Sequence, residues 1–312
     1  MNTPFPLDRP LRLGTRASPL AIAQVNLTRQ ALRAAHGWAD ECIEVVSVTA
    51  SGDRVLDRPL ADIGGKALWT KELDQWLAAG EIDAAVHSMK DVETFRPDEL
   101  VIAAMLPRAD VRDVLVGAAS ISDLARNGRL GTSSPRRSAQ IARLRPDVEI
   151  VLFRGNVATR LGRLDAGEAD ATLLAAAGLA RLGQSDVGVA VSTEELLPAP
   201  AQGAIGIETL RTNSTLRRLL SAIDHRETSD CVHAERAVLR ALNGTCHSPI
   251  AALAVPAGEN MMLLRAEILS PDGSERVRDE RRIAMGDLAA AEAVGRALLA
   301  GATPALRALF GT

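Results

Sequence analysis

Aromatic side chains are scarce in this 312-residue chain: three Trp, four Phe and no Tyr, 2% in all. Stacking platforms for bases are therefore nearly absent, which argues against single-stranded nucleic acid as a partner. Cysteine is sparse too. Cys42, Cys231 and Cys246 form an odd set, unsuited to a disulfide framework and suited to a reducing cytoplasm. The net charge of −3 provides no global basic field. Long apolar runs are missing: Ala171 to Ala180, the longest nearly apolar stretch, covers half a membrane span. The opening Met1-Asn-Thr-Pro-Phe-Pro-Leu-Asp8 has neither the basic nor the apolar segment of a secretory signal, so a cytoplasmic protein is expected. There is no Walker loop, no GxGxxG, no HExxH and no GxSxG. Cys231, His233, Cys246 and His247 make a poor zinc set. Residues two apart on a helix do not share a face, and no C-x-x-C pair exists, so no metal is expected.

What is present is a globular composition, 47% hydrophobic and 24% charged, long enough for two or three domains. Strands and helices alternate over the first two-thirds. Leu11 to Leu13 reads as a short strand. Ser18-Pro19 reads as an N-cap followed by Pro at the first helical position. Leu20, Ala23, Leu27 and Ala31 recur at helical spacing, and Gly37 suits the stop. Strands are expected over Cys42 to Val48 and Ile82 to Val86, with a helix over Lys71 to Ala79 between them. Such alternation predicts an α/β fold with largely parallel sheets. From about Ala222 the pattern changes to a small α+β domain. A helix over Asp230 to Leu242 is followed by strands over Ile250 to Val255 and Met261 to Leu269. A turn at Pro271-Asp-Gly-Ser274 and a last helix over Leu288 to Leu299 complete it.

A weak repeat points to two similar lobes. Leu13-Gly-Thr-Arg-Ala-Ser-Pro19 resembles Leu130-Gly-Thr-Ser-Ser-Pro135, and Gly80-Glu-Ile-Asp-Ala-Ala85 resembles Gly167-Glu-Ala-Asp-Ala-Thr172, in the same order. Each Ser-Pro helix start offers free backbone N–H groups, a ready anion site. Arg16 sits in the first such loop, and Arg136 and Arg137 sit in the first turn after the second. Cations there oppose the helix dipole, which fits an anionic ligand sharing the site; taken alone, a solvated charged helix start is the slightly better reading.

Other cations also fall in loops or beside glycines: Lys66 after Gly64-Gly65, Lys90 in His87-Ser-Met-Lys-Asp91, Arg154 before Gly155-Asn156, Arg160 and Arg181. Any one of them reads better as scattered surface charge. As a set they predict a basic cleft for a polycarboxylate or phosphate, because a guanidinium meets a carboxylate with two parallel hydrogen bonds. Lys90-Asp91 follows the apolar Ala84-Ala-Val86, where such folds place ligand groups, and Asp91 can stabilise a developing cation or pass a proton. Cys246 lies in the loop Asn243-Gly-Thr-Cys-His-Ser-Pro249, where a charged His247 favours the thiolate. These features also fit a two-lobed binding module for a small anion, or a Cys-dependent acyl transferase. The third domain and Cys246 discriminate against a plain binder.

Together these segments resemble the porphobilinogen deaminase family along nearly the whole chain. The matching stretches are Gly14-Thr-Arg-Ala-Ser-Pro-Leu-Ala21, Gly64-Gly-Lys66, His87-Ser-Met-Lys-Asp-Val92, Gly131-Thr-Ser-Ser-Pro-Arg-Arg137 and Arg154-Gly-Asn-Val-Ala-Thr-Arg160. Ala177-Gly-Leu-Ala-Arg-Leu182, Gln202-Gly-Ala-Ile-Gly-Ile-Glu208 and the Cys246 loop follow in order. The resemblance implies two lobes like those of type II periplasmic binding proteins, joined by hinge segments near Leu100 to Ala104 and Ala201 to Ile207. A small α+β third domain is implied as well. Domain 1 is expected over 1–104 and 205–222, domain 2 over 105–204 and domain 3 over 223–312.

The implied activity deaminates porphobilinogen and joins four molecules into the linear hydroxymethylbilane, on a dipyrromethane cofactor held by Cys246 through a thioether. By resemblance, Asp91, Arg16 and Arg154 are catalytic, and Cys246, Asp91, Lys90, Arg136, Arg137 and Ser133 hold the cofactor. Arg16, Ser18, Arg154, Arg160, Arg181, Gln202 and Lys66 bind substrate. The implied protein is a cytoplasmic monomer of tetrapyrrole biosynthesis with a small-molecule substrate and no nucleic-acid or membrane partner. Some residues depart from the family pattern. Asp62 stands where some members carry Lys, Trp69 replaces a commoner Phe, Glu93 a frequent Pro and Ala201 a frequent Gly, and Thr245 and His247 vary the cysteine loop.

Overall fold

The computed structural model describes residues 8–48, 70–245 and 248–310. Strand β1 (Leu11–Arg16) runs into helix α1 (Pro19–His36), followed by β2 (Ile43–Val48), α2 (Lys71–Ala79), β3 (Ala84–Ser88) and β4 (Leu100–Met105). A second series follows: β5 (Asp113–Val116), β6 (Arg129–Thr132), α3 (Pro135–Leu144), β7 (Glu149–Leu152), α4 (Val157–Asp165), β8 (Ala171–Ala175), α5 (Ala176–Arg181) and β9 (Val189–Ala190). Strand β10 (Ile205–Leu210) and α6 (Ser214–Leu220) then return to the first series.

The first sheet has the order β2-β1-β3-β10-β4 and the second β7-β6-β8-β5-β9. In each, the first three strands are parallel and the fourth runs against its neighbours. The two sheets thus share one topology, with β10 in the first occupying the position of β5 in the second. This is the doubly wound arrangement expected of type II periplasmic-binding-protein lobes. The repeat extends to individual hydrogen bonds. In the first lobe the Asp83 carboxylate accepts the Arg12 N–H at 2.8 Å, and Gly80 O accepts the Arg12 guanidinium at 2.5 Å. In the second, the Asp170 carboxylate accepts the Arg129 N–H at 2.6 Å, and Gly167 O accepts the Arg129 guanidinium at 2.8 Å.

Strand β3 is buried on both faces, as a central strand of a covered sheet must be. Ala84 and Val86 pack with Leu13, Val25 and Ile207, while Ala85 faces Leu73, Leu77 and Leu100. Helix α1 starts as its sequence predicts. The Ser18 hydroxyl accepts the Ala21 N–H at 3.3 Å, Pro19 follows, and Gly37 closes the helix at φ 69°.

The third sheet is antiparallel, β11 (Ile250–Pro256), β12 (Met261–Leu269) and β13 (Arg276–Ala284). Its core is shared with α7 (Arg226–Ala241) and α8 (Leu288–Gly301) through Val238, Leu264, Val294 and Leu298, and a short α9 (Pro304–Arg307) closes it. The chain clusters into two compact units. One comprises the first lobe with 204–229; the other comprises the second lobe, 110–203, together with the third domain.

Several boundaries differ from expectation. Strand β1 runs on to Arg16, because its pairing with β2 continues to the Arg16–Val48 register. Cys42 lies in a 3-10 turn over Asp40–Cys42, before the strand. Strand β3 begins at Ala84, and α7 begins at Arg226 rather than Asp230. Strand β13 was not anticipated, since its charged side chains leave no apolar alternation to read. Among the described residues, no helix is long and apolar enough to cross a membrane.

Candidate active site

Parallel strands β1 and β3 deliver their C-terminal ends to the same edge of the first sheet, where α/β folds bind ligands. Arg16 ends β1, and Ser18 caps α1. Strand β3 ends at Ser88 and passes directly into a 3-10 turn, Met89–Asp91, that carries Lys90 and Asp91. Arg16, Ser18, Gln24, Thr70, Ser88 and Asp91 line one open pocket, of about 410 Å³ with its open solvent included. The Gln24 amide donates to Ser88 Oγ at 2.7 Å and accepts from it at 3.1 Å, fixing one wall. Ser18 Oγ accepts the helix cap and keeps its own O–H as a donor.

The turn carrying Asp91 is seated on β10. Met89 N–H donates to Ala204 O at 3.1 Å. A Cβ on Gly206 would lie 2.1 Å from Met89 Sδ, so glycine here leaves the space that the Met89 side chain fills.

The second lobe gathers the other basic residues. Ser134 caps α3 by accepting the Arg137 N–H at 3.4 Å. Part of the negative charge that faces these cations is supplied by the protein itself. Asp113, fully buried, takes the guanidiniums of Arg136 at 2.8 Å and Arg137 at 2.6 Å, and the Gln202 amide at 3.0 Å. Burial pushes the Asp113 carboxyl up, but the two guanidinium charges outweigh it and hold the group well below the usual carboxylate range. Two cations thus share one carboxylate, and Arg136 Nε keeps no hydrogen-bond partner among the described residues.

Arg160 donates to Gly155 O at 3.0 Å and to Ser133 Oγ at 3.3 Å, and Arg154 is buried just before the Asn156 cap of α4. Arg181, at the end of α5, donates to Gly203 O at 2.7 Å and has no carboxylate partner among the described residues. Partial burial lowers its guanidinium to about 10, with no opposing charge among the described residues to raise it again.

The structure therefore brings Arg16, Ser18 and Asp91 together in the first lobe, with Lys90 on the same turn. In the second it brings Arg136, Arg137 and Gln202 together on Asp113, and Arg160 onto Ser133. Lys66 and Cys246 lie outside the described residues. Sequence reasoning missed Asp113 and the acids around Arg96. Glu208 carried a usable signal: one carboxylate inside the apolar Ile205-Gly-Ile-Glu-Thr-Leu210 requires a buried partner.

These donors suit a ligand that carries several carboxylates and ring N–H groups: guanidiniums and hydroxyls for the former, one carboxylate for the latter. The first-lobe pocket, which sets Asp91 beside Arg16 and Ser18, has the make-up of an enzyme site for a small anionic substrate.

A family model described as porphobilinogen deaminase, dipyromethane cofactor binding domain, matches residues 11–218. A second, porphobilinogen deaminase, C-terminal domain, matches 229–302. The chain is 55% identical to a porphobilinogen deaminase of Sphingopyxis alaskensis over 100% of both chains. It is 50% identical to one of Paracoccus denitrificans over 93% of this chain and 95% of the relative. Solved structures similar to it include the periplasmic VFT2 domain of Bordetella pertussis BvgS, at 16% identity and a TM-score of 0.39, covering 69% of this chain and 86% of that one. Another is a Salmonella typhimurium periplasmic binding protein with high arginine specificity, at 13% identity and a TM-score of 0.39, covering 69% and 92%. The chain belongs to the porphobilinogen deaminase family. It is a hydroxymethylbilane synthase, a transferase of porphyrin biosynthesis whose family carries a dipyrromethane cofactor.

Proposed function

We propose that four porphobilinogen molecules are joined head-to-tail at the pocket around Asp91. The observation that carries this reading is a pocket in which one carboxylate faces the same space as Arg16, Ser18 and Ser88. The bound dipyrromethane supplies the free α-carbon at which the chain grows. Asp91 accepts hydrogen bonds from pyrrole N–H groups and stabilises the positive charge that develops as ammonia leaves, a preorganised electrostatic contribution. Arg16 and Arg154 hold substrate carboxylates and assist proton transfer. Ser18, Arg160, Arg181, Gln202 and Lys66 bind the acetate and propionate groups. Arg181 is supported by its desolvated, uncompensated guanidinium.

Lys90, Ser133, Arg136 and Arg137 serve the cofactor carboxylates together with Asp91, and the Cys246 thiolate forms the thioether. Two guanidiniums on the one Asp113 carboxylate support this reading, as does the Arg136 Nε, which has no hydrogen-bond partner among the described residues. Three sheets with separate cores support a division into 1–104 with 205–222, 105–204 and 223–312. Free Cys42 and Cys231 are consistent with the cytoplasm. A monomer belongs to the same reading.

Asp91→Ala tests the assignment. The variant is expected to fold with an unchanged circular dichroism spectrum and to lose chain elongation by at least about 100-fold. Normal turnover by the folded variant sinks the role given to Asp91.

A further inference from the structure

The turn that carries Asp91 is tethered on both sides to one buried carboxylate. Glu208, on β10, has no solvent exposure. Upstream of the turn, His87 Nε2 lies 3.2 Å from Glu208 Oε2. Downstream, Arg96 donates through Nε to Oε1 at 3.0 Å and through Nη2 to Oε2 at 2.7 Å, a two-point grip.

Arg96 is itself held from further sides. Its guanidinium reaches Asp74 on α2 at 2.5 Å, Glu93 at 2.7 Å and the Thr70 hydroxyl at 3.0 Å. Burial lowers the Arg96 guanidinium, but the bonds and charges of Glu208 and Asp74 outweigh it and raise the group above its ordinary value. Burial likewise pushes the Glu208 carboxyl up, while His87 and Arg96 outweigh it and leave it at about 2. The Arg96–Glu208 ion pair is therefore formed throughout the neutral range.

The geometry points to Glu208 as the positioning residue of the Met89–Asp91 turn. This rests on the reading that Asp91 is the reacting carboxylate. Two observations independent of charge support it. The turn's first N–H bonds to Ala204 O, just ahead of β10, and Gly206 on β10 leaves the space that Met89 fills. Strand β10 therefore carries the seat of the turn and the clamp that closes over both its ends. Glu208 does not line the pocket, so it acts on the reaction through the position of Asp91. Displacement of a reacting group by about 1 Å can cost on the order of 100-fold in rate.

The test uses the cofactor-loaded holoenzyme and Glu208→Gln, which keeps the shape and removes the charge. Three readouts are taken well below the melting temperature: kcat and KM for porphobilinogen, the denatured intact mass, and amide hydrogen exchange over residues 87–96. The expected result is a kcat lower by about 10- to 100-fold with KM within about threefold. Cofactor mass is retained, and exchange is faster in the turn. A folded, loaded variant with normal kcat and unchanged exchange in the turn overturns the proposal, whatever its melting temperature. If Glu208→Gln does not accumulate folded, His87→Leu, which removes the upstream donor, is judged by amide exchange over the turn, because His87 also lines the pocket: faster exchange supports the tether and unchanged exchange overturns it. Asp91→Asn is measured alongside. Normal turnover by that variant refutes the role of Asp91 itself, a failure distinct from that of Glu208.

Discussion

Arg181 and Asp113 illustrate opposite ways of keeping charge inside the second lobe. Asp113 is more than compensated, by Arg136 and Arg137. Arg181 is half-buried and bonds one backbone carbonyl, with no carboxylate partner among the described residues. A buried cation without a counter-charge costs stability, and an anionic ligand removes that cost. Arg181→Met is therefore expected to leave the melting temperature unchanged or higher while raising KM for porphobilinogen at least about tenfold, or about 1.4 kcal/mol of binding. A lower melting temperature with an unchanged KM contradicts the anion-binding role.

Glu208 makes the acid dependence specific. Its carboxyl is depressed from 4.5 to about 2, so its contribution to stability is fully present above about 4.5 and is lost as pH falls through about 2. Melting temperature followed from pH 6 to pH 2 is expected to fall below about pH 4.5, and to fall less steeply in Glu208→Gln.

Among the elements, the helix starts were the most legible part of the sequence. Ser18-Pro19 and Ser134-Pro135 are local signals, and the caps they predict are present. The two glycine-to-strand repeats were legible for the same reason: each returns with the same Arg-to-Asp backbone bond. The ion-pair partners were not legible. Glu208 lies 112 residues from Arg96, and Asp113 lies 23 residues from Arg136, separations that carry no local pattern. Strand β13 was hidden by its charges, which at a sheet edge protect against pairing with other chains.

The segment before β10 carries its own strain. Ala201 has φ 63° and is buried, and its N–H donates to the Glu235 carboxylate at 2.5 Å. Left-handed backbone costs an alanine about 1 kcal/mol, partly offset on replacement by the greater chain entropy of glycine. Ala201→Gly is expected to change unfolding free energy by less than about 1 kcal/mol, and Ala201→Val to lower it by about 2 kcal/mol or more. Denaturant titration of the two variants measures the difference. Equal stability for valine and glycine contradicts the strained geometry.

At the scale of the whole molecule, one α/β topology is used twice, and a third sheet is joined to the second lobe within one compact unit. The join is polar as well as apolar. Gln140 on α3 donates to Glu267 on β12 at 2.7 Å, Arg265 pairs with Glu194, and Leu197 packs with Ala251 and Leu253. The third domain is thereby held to the lobe that carries Arg136 and Arg137. The two-lobe plan was legible because it is written twice in the chain. The packing of the third domain against the second lobe was not, because it depends on side chains such as Gln140 and Glu267 that meet across 127 residues.

The central claim is that this chain grows a tetrapyrrole on a cofactor attached through Cys246. The denatured intact mass of the purified protein, measured beside Cys246→Ala and again after incubation of both with porphobilinogen, tests it most directly. The account predicts a covalent excess of two linked pyrrole units on the natural chain, present from the start or gained on incubation, and none on the variant. A natural chain that stays unmodified after incubation, or a Cys246→Ala variant that carries the same excess, contradicts it.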